Sequence, residues 1–160
     1  MAKELKPGDP APKFDLPAAG AGRISLGKLK GKTVVLYFYP KDDTPGCTTQ
    51  ALNFTEKAKA FAAANAAVVG VSRDSVAKHD KFAAKHGLEL LLASDEDGTT
   101  CEAYGVWVEK SLYGRKYWGV ERATFLINAK GVITRVWRKV RVPGHVDEVL
   151  KEVKASAANA

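Results

Sequence analysis

The chain of 160 residues has only two cysteines, one methionine and three histidines, and no apolar run nears the ~18 residues that a membrane span requires. Cys47 and Cys101 stand far apart, so they make neither a disulfide framework nor the closely spaced ligand pairs of a zinc site. Each thiol is therefore either reactive or buried. The chain has no C-x-x-C pair, since Gln50 occupies the fourth position after Cys47 is counted as the first. A G-x-x-x-x-G-K pattern is absent too, so Gly70 and Gly105 read as turns or close approaches and not as a phosphate cradle. Residues 1–12 contain lysines but no apolar leader, and the expectation is a protein kept in the cytoplasm. No internal repeat is visible.

At 17.2 kDa and 46% hydrophobic residues, the chain is long enough to bury one core, and a single domain over residues 1–160 is expected. The formal charge of +7 suggests a polyanionic partner only if the cations cluster. Lys28, Lys30 and Lys32 stand together, as do Arg135, Arg138, Lys139 and Arg141, but apolar residues interrupt the second group on an apparent edge strand. These cations read as a solvated face that discourages edge pairing, with neither nucleic acid nor membrane as partner. A nucleic-acid or chaperone-like binding protein is the alternative that the basic surface allows.

The chain is organised around residues 33–50. Thr33 to Tyr39 mixes β-branched, aromatic and aliphatic residues, the pattern of a strand buried on both faces, and Pro40 stops it. After a charged loop, Ala51, Phe54, Ala58, Phe61 and Ala62 recur at helical spacing from Cys47 onward, with Asn65 as a left-handed cap. Residues 4–18 read as an extended opening segment, 20–22 as a turn and 24–26 as a short strand. A strand over 67–72 completes a parallel crossover. A helix over 75–86 follows, with Val76, His79, Phe82 and Ala83 on one side and Gly87 as its stop. Then come a strand over 88–93, a cap at 94–98 and a short helix through Tyr104. Residues 106–118 read as loop with extended ends. Strands over 124–128 and 132–140 flank a hairpin turn, and a helix over 145–155 leads to a frayed tail at 156–160. Periodicity thus gives an α/β sandwich.

Cys47 falls in a first helical turn, where free backbone N–H groups and the helix dipole favour a negative charge. A free thiol with a pKa of ~8.5 is only about 3% ionised at pH 7, and one lowered to ~6 is about 90% ionised. That gain is roughly thirty-fold at most, because nucleophilicity falls with pKa. An effective thiolate enzyme also needs fixed donors aimed at the transition state.

Pro40, Thr44 and Cys47 spell P-x3-T-x2-C, and the wording from Tyr37 to Ala51 resembles the bacterioferritin comigratory protein (peroxiredoxin Q) branch of the peroxiredoxins. The likeness continues through 69–75, Ser94-Asp95, Tyr104-Gly105-Val106 and 122–127 to Pro143-Gly144-His145. It implies a thioredoxin-like sandwich, a central mixed β-sheet flanked by helices. It also implies a thiol-dependent peroxidase acting on hydrogen peroxide and organic hydroperoxides, with thioredoxin or another thiol as reductant and a monomer or weak homodimer as the assembly.

By this resemblance Cys47 is the nucleophile, Thr44 orients the peroxide, Pro40 shields the thiolate and Arg122 is the active-site arginine. Relatives that carry a resolving cysteine place it five residues after the first or in the following helix, where this chain has Leu52, Ala83 and Ala84. Cys101 occupies neither place. It reads as a packed thiol in preference to a resolving partner, which favours a one-cysteine cycle. His79, His86 and His145 read as packing or surface residues. No nucleotide, haem, flavin or metal is required. A thioredoxin-type thiol-disulfide oxidoreductase remains the other enzymatic alternative.

Overall fold

The computed structural model describes residues 4–20 and 22–158. In chain order its elements are β1 (Asp15–Ala18), β2 (Gly22–Ser25), a 3-10 turn (Gly27–Leu29), β3 (Thr33–Phe38), α1 (Pro45–Glu56), α2 (Ala58–Ala63) and β4 (Ala66–Ser72). They continue with α3 (Val76–His86), β5 (Leu91–Ser94), α4 (Thr99–Ala103), β6 (Trp107–Leu112), β7 (Arg115–Val120), β8 (Ala123–Ile127), β9 (Ile133–Trp137) and α5 (His145–Ala158). Seven strands form one mixed sheet in the order β2-β1-β5-β4-β3-β8-β9. β3, β4 and β5 run parallel, while β1, β8 and β9 pair antiparallel with their neighbours.

β3 lies near the middle because nearly all of it is apolar, and alternate residues serve two cores. Val34, Leu36 and Phe38 face one layer with Phe14, Cys101, Tyr104, Val106, Val120 and Phe125. Val35, Tyr37 and Tyr39 face the other, with Cys47, Phe54, Phe61, Phe82, Val149 and Val153. Helices α1, α2, α3 and α5 therefore cover one face. The opening segment, α4 and the base of the β6–β7 hairpin cover the opposite one.

Several boundaries differ from the sequence reading. The single helix expected after Cys47 is broken at Lys57, whose N–H bonds back to Phe54 O, and the bend lets Phe54 and Phe61 pack with ring centroids 5.8 Å apart. Asn65 is left-handed at φ 56°, and Gly87 caps α3 at φ 60°. The stretch 106–118, expected as loop with extended ends, falls in a separate antiparallel hairpin of residues 107–120. Its two-residue turn places Tyr113 and Gly114 both at positive φ, the twist that a tight hairpin needs, here with tyrosine in place of the usual Asn or Asp. β9 stops at Trp137, because Arg138 turns to Glu121 and Lys139 adopts φ 48°. α5 runs to Ala158, past the expected end at 155. Of the expected tail, residues 159–160 lie outside the described residues, as does Ala21 of the 20–22 turn.

The expected close approach occurs at Gly70. A Cβ there would lie 2.8 Å from the Tyr37 ring, which is itself stacked on Phe54 at 4.6 Å. Gly70→Ala should destabilise the fold by about 1–3 kcal/mol through overpacking, read as a lower denaturant midpoint with an unchanged slope. His145, at the start of α5, is buried and its Nε2 lies 2.8 Å from Thr124 Oγ1. Burial pushes its pKa down to about 4, with the nearby Arg122 charge acting the same way and Glu148 opposing. The unfolded chain therefore binds this proton first, so the stability it contributes is complete above pH ~6.5 and is lost as pH falls through about 4. His145→Gln keeps a partner for Thr124 and should flatten the fall in Tm between pH 6.5 and 4.

Candidate active site

The site is assembled by the strand register. β3 and β8 are antiparallel with Phe38 opposite Ala123, so the residues after β3 lie beside those before β8. Arg122 is thereby brought to the carboxyl end of β3, where the chain turns through residues 40–44 into α1. Thr44 is the extended N-cap residue (φ −93°, ψ 155°), and its carbonyl accepts the first helical bond from the Thr48 N–H at 2.8 Å. Pro45 takes the first helical position, where a missing N–H costs nothing. Cys47 follows within the first turn and is buried at 2% exposure.

Arg122 spans two partners with one planar fork. Its Nη2 lies 3.3 Å from Cys47 Sγ as donor, and its Nη1 donates to Gln50 Oε1 at 2.7 Å. Gly46 makes room, since a Cβ there would stand 3.2 Å from Nη2. Glu121, the neighbouring carboxylate, binds Arg138 at 2.7 and 3.2 Å, which leaves the Arg122 guanidinium to the sulfur and Gln50. Gln50 was read only as a missing cysteine. Its spacing of three from Cys47 on a helix was the signal that both share a face.

Two buried polar atoms, Tyr37 Oη and Gln50 Nε2, have no partner among the described residues. Burial, and next the charge of Cys47, push the Tyr37 hydroxyl far above its ordinary pKa, so it stays protonated. From the hairpin, the stem of Lys110 runs beside Gly119 and its Nζ donates to Val120 O at 2.5 Å. Partial burial, and next the charge of Arg122, lower the Lys110 pKa.

The remaining candidates are more scattered. The Thr44 hydroxyl donates to Lys41 O at 2.9 Å and makes no cap bond. Pro40 is exposed at the bend after β3. Cys101 lies in α4 on the opposite face of the sheet from Cys47, fully buried, with its N–H bonded to Asp95 Oδ2 at 2.8 Å. Burial, and next the Asp95 charge, raise its thiol far above the ordinary range, so it is a poor nucleophile. His79 is fully buried and His86 pairs with Asp43. Of the cations read as a solvated face, Arg135 binds Glu148 and Glu152, and Arg138 binds Glu121 and Gly105 O.

Residues 7–136 match the AhpC/TSA family. The chain is 47% identical to Peroxiredoxin Bcp of Xanthomonas campestris, covering 92% of this chain and 94% of that protein. It is 46% identical to Peroxiredoxin Bcp of Bacillus subtilis, again over 92% and 94%. Among solved structures, a cysteine-to-serine mutant of Xylella fastidiosa PrxQ superposes with a TM-score of 0.92 at 42% identity, over 98% of this chain and 99% of that one. The Xanthomonas campestris bacterioferritin comigratory protein, described for its alkyl peroxide reduction activity, superposes with a TM-score of 0.86 at 45% identity, over 90% and 92%.

Arg122→Ala should slow oxidation of Cys47 by peroxide by roughly 10²- to 10³-fold with the far-ultraviolet circular dichroism unchanged. Arg122→Lys should recover little of this, because one ammonium cannot bridge the sulfur and Gln50 in the same geometry. Stopped-flow fluorescence on the reduced proteins checks both.

Proposed function

The chain belongs to the AhpC/TSA family, as a peroxiredoxin of the bacterioferritin comigratory protein branch, and on that premise we propose that it runs a one-cysteine cycle at Cys47. The Cys47 thiolate attacks one peroxide oxygen, the O–O bond breaks, and the leaving oxygen departs with a proton as water or an alcohol. Cys47 is left as a sulfenic acid. An external thiol such as thioredoxin condenses with it, releasing water and forming a mixed disulfide. A second thiol then displaces Cys47, so that one peroxide and two thiols yield an alcohol or water, a further water and one disulfide.

The observation that carries this reading is the 3.3 Å contact of Arg122 Nη2 with Cys47 Sγ in the first turn of α1. A guanidinium there favours the thiolate and offers N–H donors as charge moves onto the leaving oxygen. Thr44 turns its hydroxyl from Lys41 O to the peroxide, and Pro40 forms the outer rim of the same loop. Supporting the absence of an internal resolving partner, Cys101 stands across the sheet from Cys47, Leu52 follows Cys47 by five, and α3 holds Ala83 and Ala84. The thiol-disulfide oxidoreductase alternative is disfavoured by Gln50, which is engaged with Arg122 where a second cysteine would stand. Two of the cations that a nucleic-acid partner would need are taken up in ion pairs.

Cys47→Ser should abolish peroxide consumption while leaving the fold intact, since a serine hydroxyl is a far weaker nucleophile of nearly equal size. Cys101→Ser should preserve turnover with a small-thiol reductant and cost mainly packing stability. Intact mass after one equivalent of peroxide should show the gain of one oxygen. A loss of two hydrogens, with a peptide linking Cys47 to Cys101, would overturn the one-cysteine cycle.

A further inference from the structure

The loop that leads into Cys47 is tied to α3 by a buried acid–base network that the chemistry above does not use. Asp42 and His79 have side chains only 5% and 0% exposed, and His79 Nδ1 stands 2.6 Å from Asp42 Oδ2. His79 Nε2 faces the carbonyl of Ala93 at 2.9 Å, and Tyr39 Oη donates to Asp42 Oδ1 at 2.5 Å. The Asp42 N–H donates to Asp74 Oδ2 at 2.8 Å, and the same oxygen accepts the Ser72 hydroxyl at 2.6 Å.

Hydrogen-bond bookkeeping fixes the roles. A carbonyl can only accept, so His79 Nε2 is the donor to Ala93. The short contact on the other ring nitrogen then holds one proton between His79 and Asp42, whichever atom carries it. The pair is neutral to its surroundings and satisfied at both ends, the condition under which burial is tolerated. Asp42 is thus held at three points, by its own backbone and by both of its carboxylate oxygens.

A second tie lies one residue on. Asp43 adopts φ 60°, a strained value for a residue with a side chain, and its carboxylate meets Lys85 Nζ and His86 Nε2, each at 2.8 Å. Loop 40–44 is therefore pinned to α3 at two successive residues, immediately before Thr44.

We propose that His79 is a positioning residue for the peroxidase reaction. By bridging Asp42 to the Ala93 carbonyl, it fixes loop 40–44 against α3 and β5 and so sets the approach of peroxide to Cys47. This rests on the reading of Cys47 as nucleophile and of its loop as the element that orients the peroxide. A small displacement of that loop takes the reacting atoms out of a near-attack geometry, an effect that reaches about 10²-fold for a misplacement on the order of 1 Å.

Two reactions of the same sulfur separate positioning from general stability. Oxidation by hydrogen peroxide needs the loop, whereas alkylation by iodoacetamide reports the thiolate and its access without it. In His79→Leu the peroxide rate constant should fall by about tenfold or more, while alkylation stays within about threefold. Asp42→Ala, which releases the loop without stranding a buried carboxylate, should give the same split and carries the test if His79→Leu does not fold. Asp42→Asn can accept from Tyr39 and donate to His79, so it should lose less than Asp42→Ala. An unchanged peroxide rate in His79→Leu and Asp42→Ala, or a parallel fall in both reactions, would overturn the proposal. Cys47→Ser run alongside keeps the two readings apart, since peroxide consumption surviving there would sink the nucleophile assignment itself.

Discussion

The contact on which the proposed reaction depends is the 3.3 Å approach of the Arg122 guanidinium to the Cys47 sulfur, a cation set beside a thiol buried at a helix start. That contact depends on the β3–β8 register, which sets the end of one strand beside the beginning of the other. It depends also on Gly46, on the outward turn of Glu121 to Arg138, and on Gln50 holding the second nitrogen of the fork. A one-residue slip between β3 and β8 would send Arg122 to the wrong side of the sheet. The central sheet is thus a positioning device as much as a core.

The same sheet separates the two thiols. Cys47 joins the core built from Val35, Tyr37 and Tyr39, and Cys101 joins the one built from Val34, Leu36 and Phe38. Alternation along β3 therefore assigns them different surroundings. Cys47 meets a cation, while the Cys101 backbone is clasped by a carboxylate that also accepts from the Thr100 N–H. Burial and the like charge of Asp95 suppress ionisation of Cys101, whereas Cys47 has the Arg122 guanidinium beside it, so the sheet gives the two sulfurs different surroundings.

What was legible in the sequence is what local pattern encodes. β3, the start of α1, the left-handed Asn65 and the helix over 75–86 with its Gly87 stop all followed from periodicity and cap residues. Arg122 as the companion of Cys47 came from the family resemblance and not from spacing, because a contact between residues so far apart in the chain leaves no periodic trace. The β6–β7 hairpin was missed since its strands are half exposed on both faces and interleave Lys110, Arg115 and Lys116 with aromatics, so no face reads as apolar. Its turn also uses Tyr113 where an Asn or Asp would have announced it. The Asp42–His79 pair was invisible for the same reason as Arg122, and a histidine on the apolar side of α3 is indistinguishable by pattern from a packing residue.

In the proposed cycle, the balance of forces at Cys47 changes as the sulfur reacts. Before oxidation, the bond from Arg122 to a thiolate is charge-assisted, roughly twice as strong as a neutral one. A sulfenic acid is neutral, so that assistance is lost at the step that creates the need for a second thiol. A peroxide is small enough to approach a sulfur that is 2% exposed, whereas a protein thiol is not. The start of α1 has a threonine cap that makes no side-chain bond to it and a glycine directly before the cysteine. The side of the loop tied to α3 through Asp42 and Asp43 keeps its bonds throughout, because none of them involves the sulfur. In the proposed cycle, the oxidised sulfur would therefore reach its reductant through the first turn of α1, with the loop and α3 still joined by bonds that do not involve it.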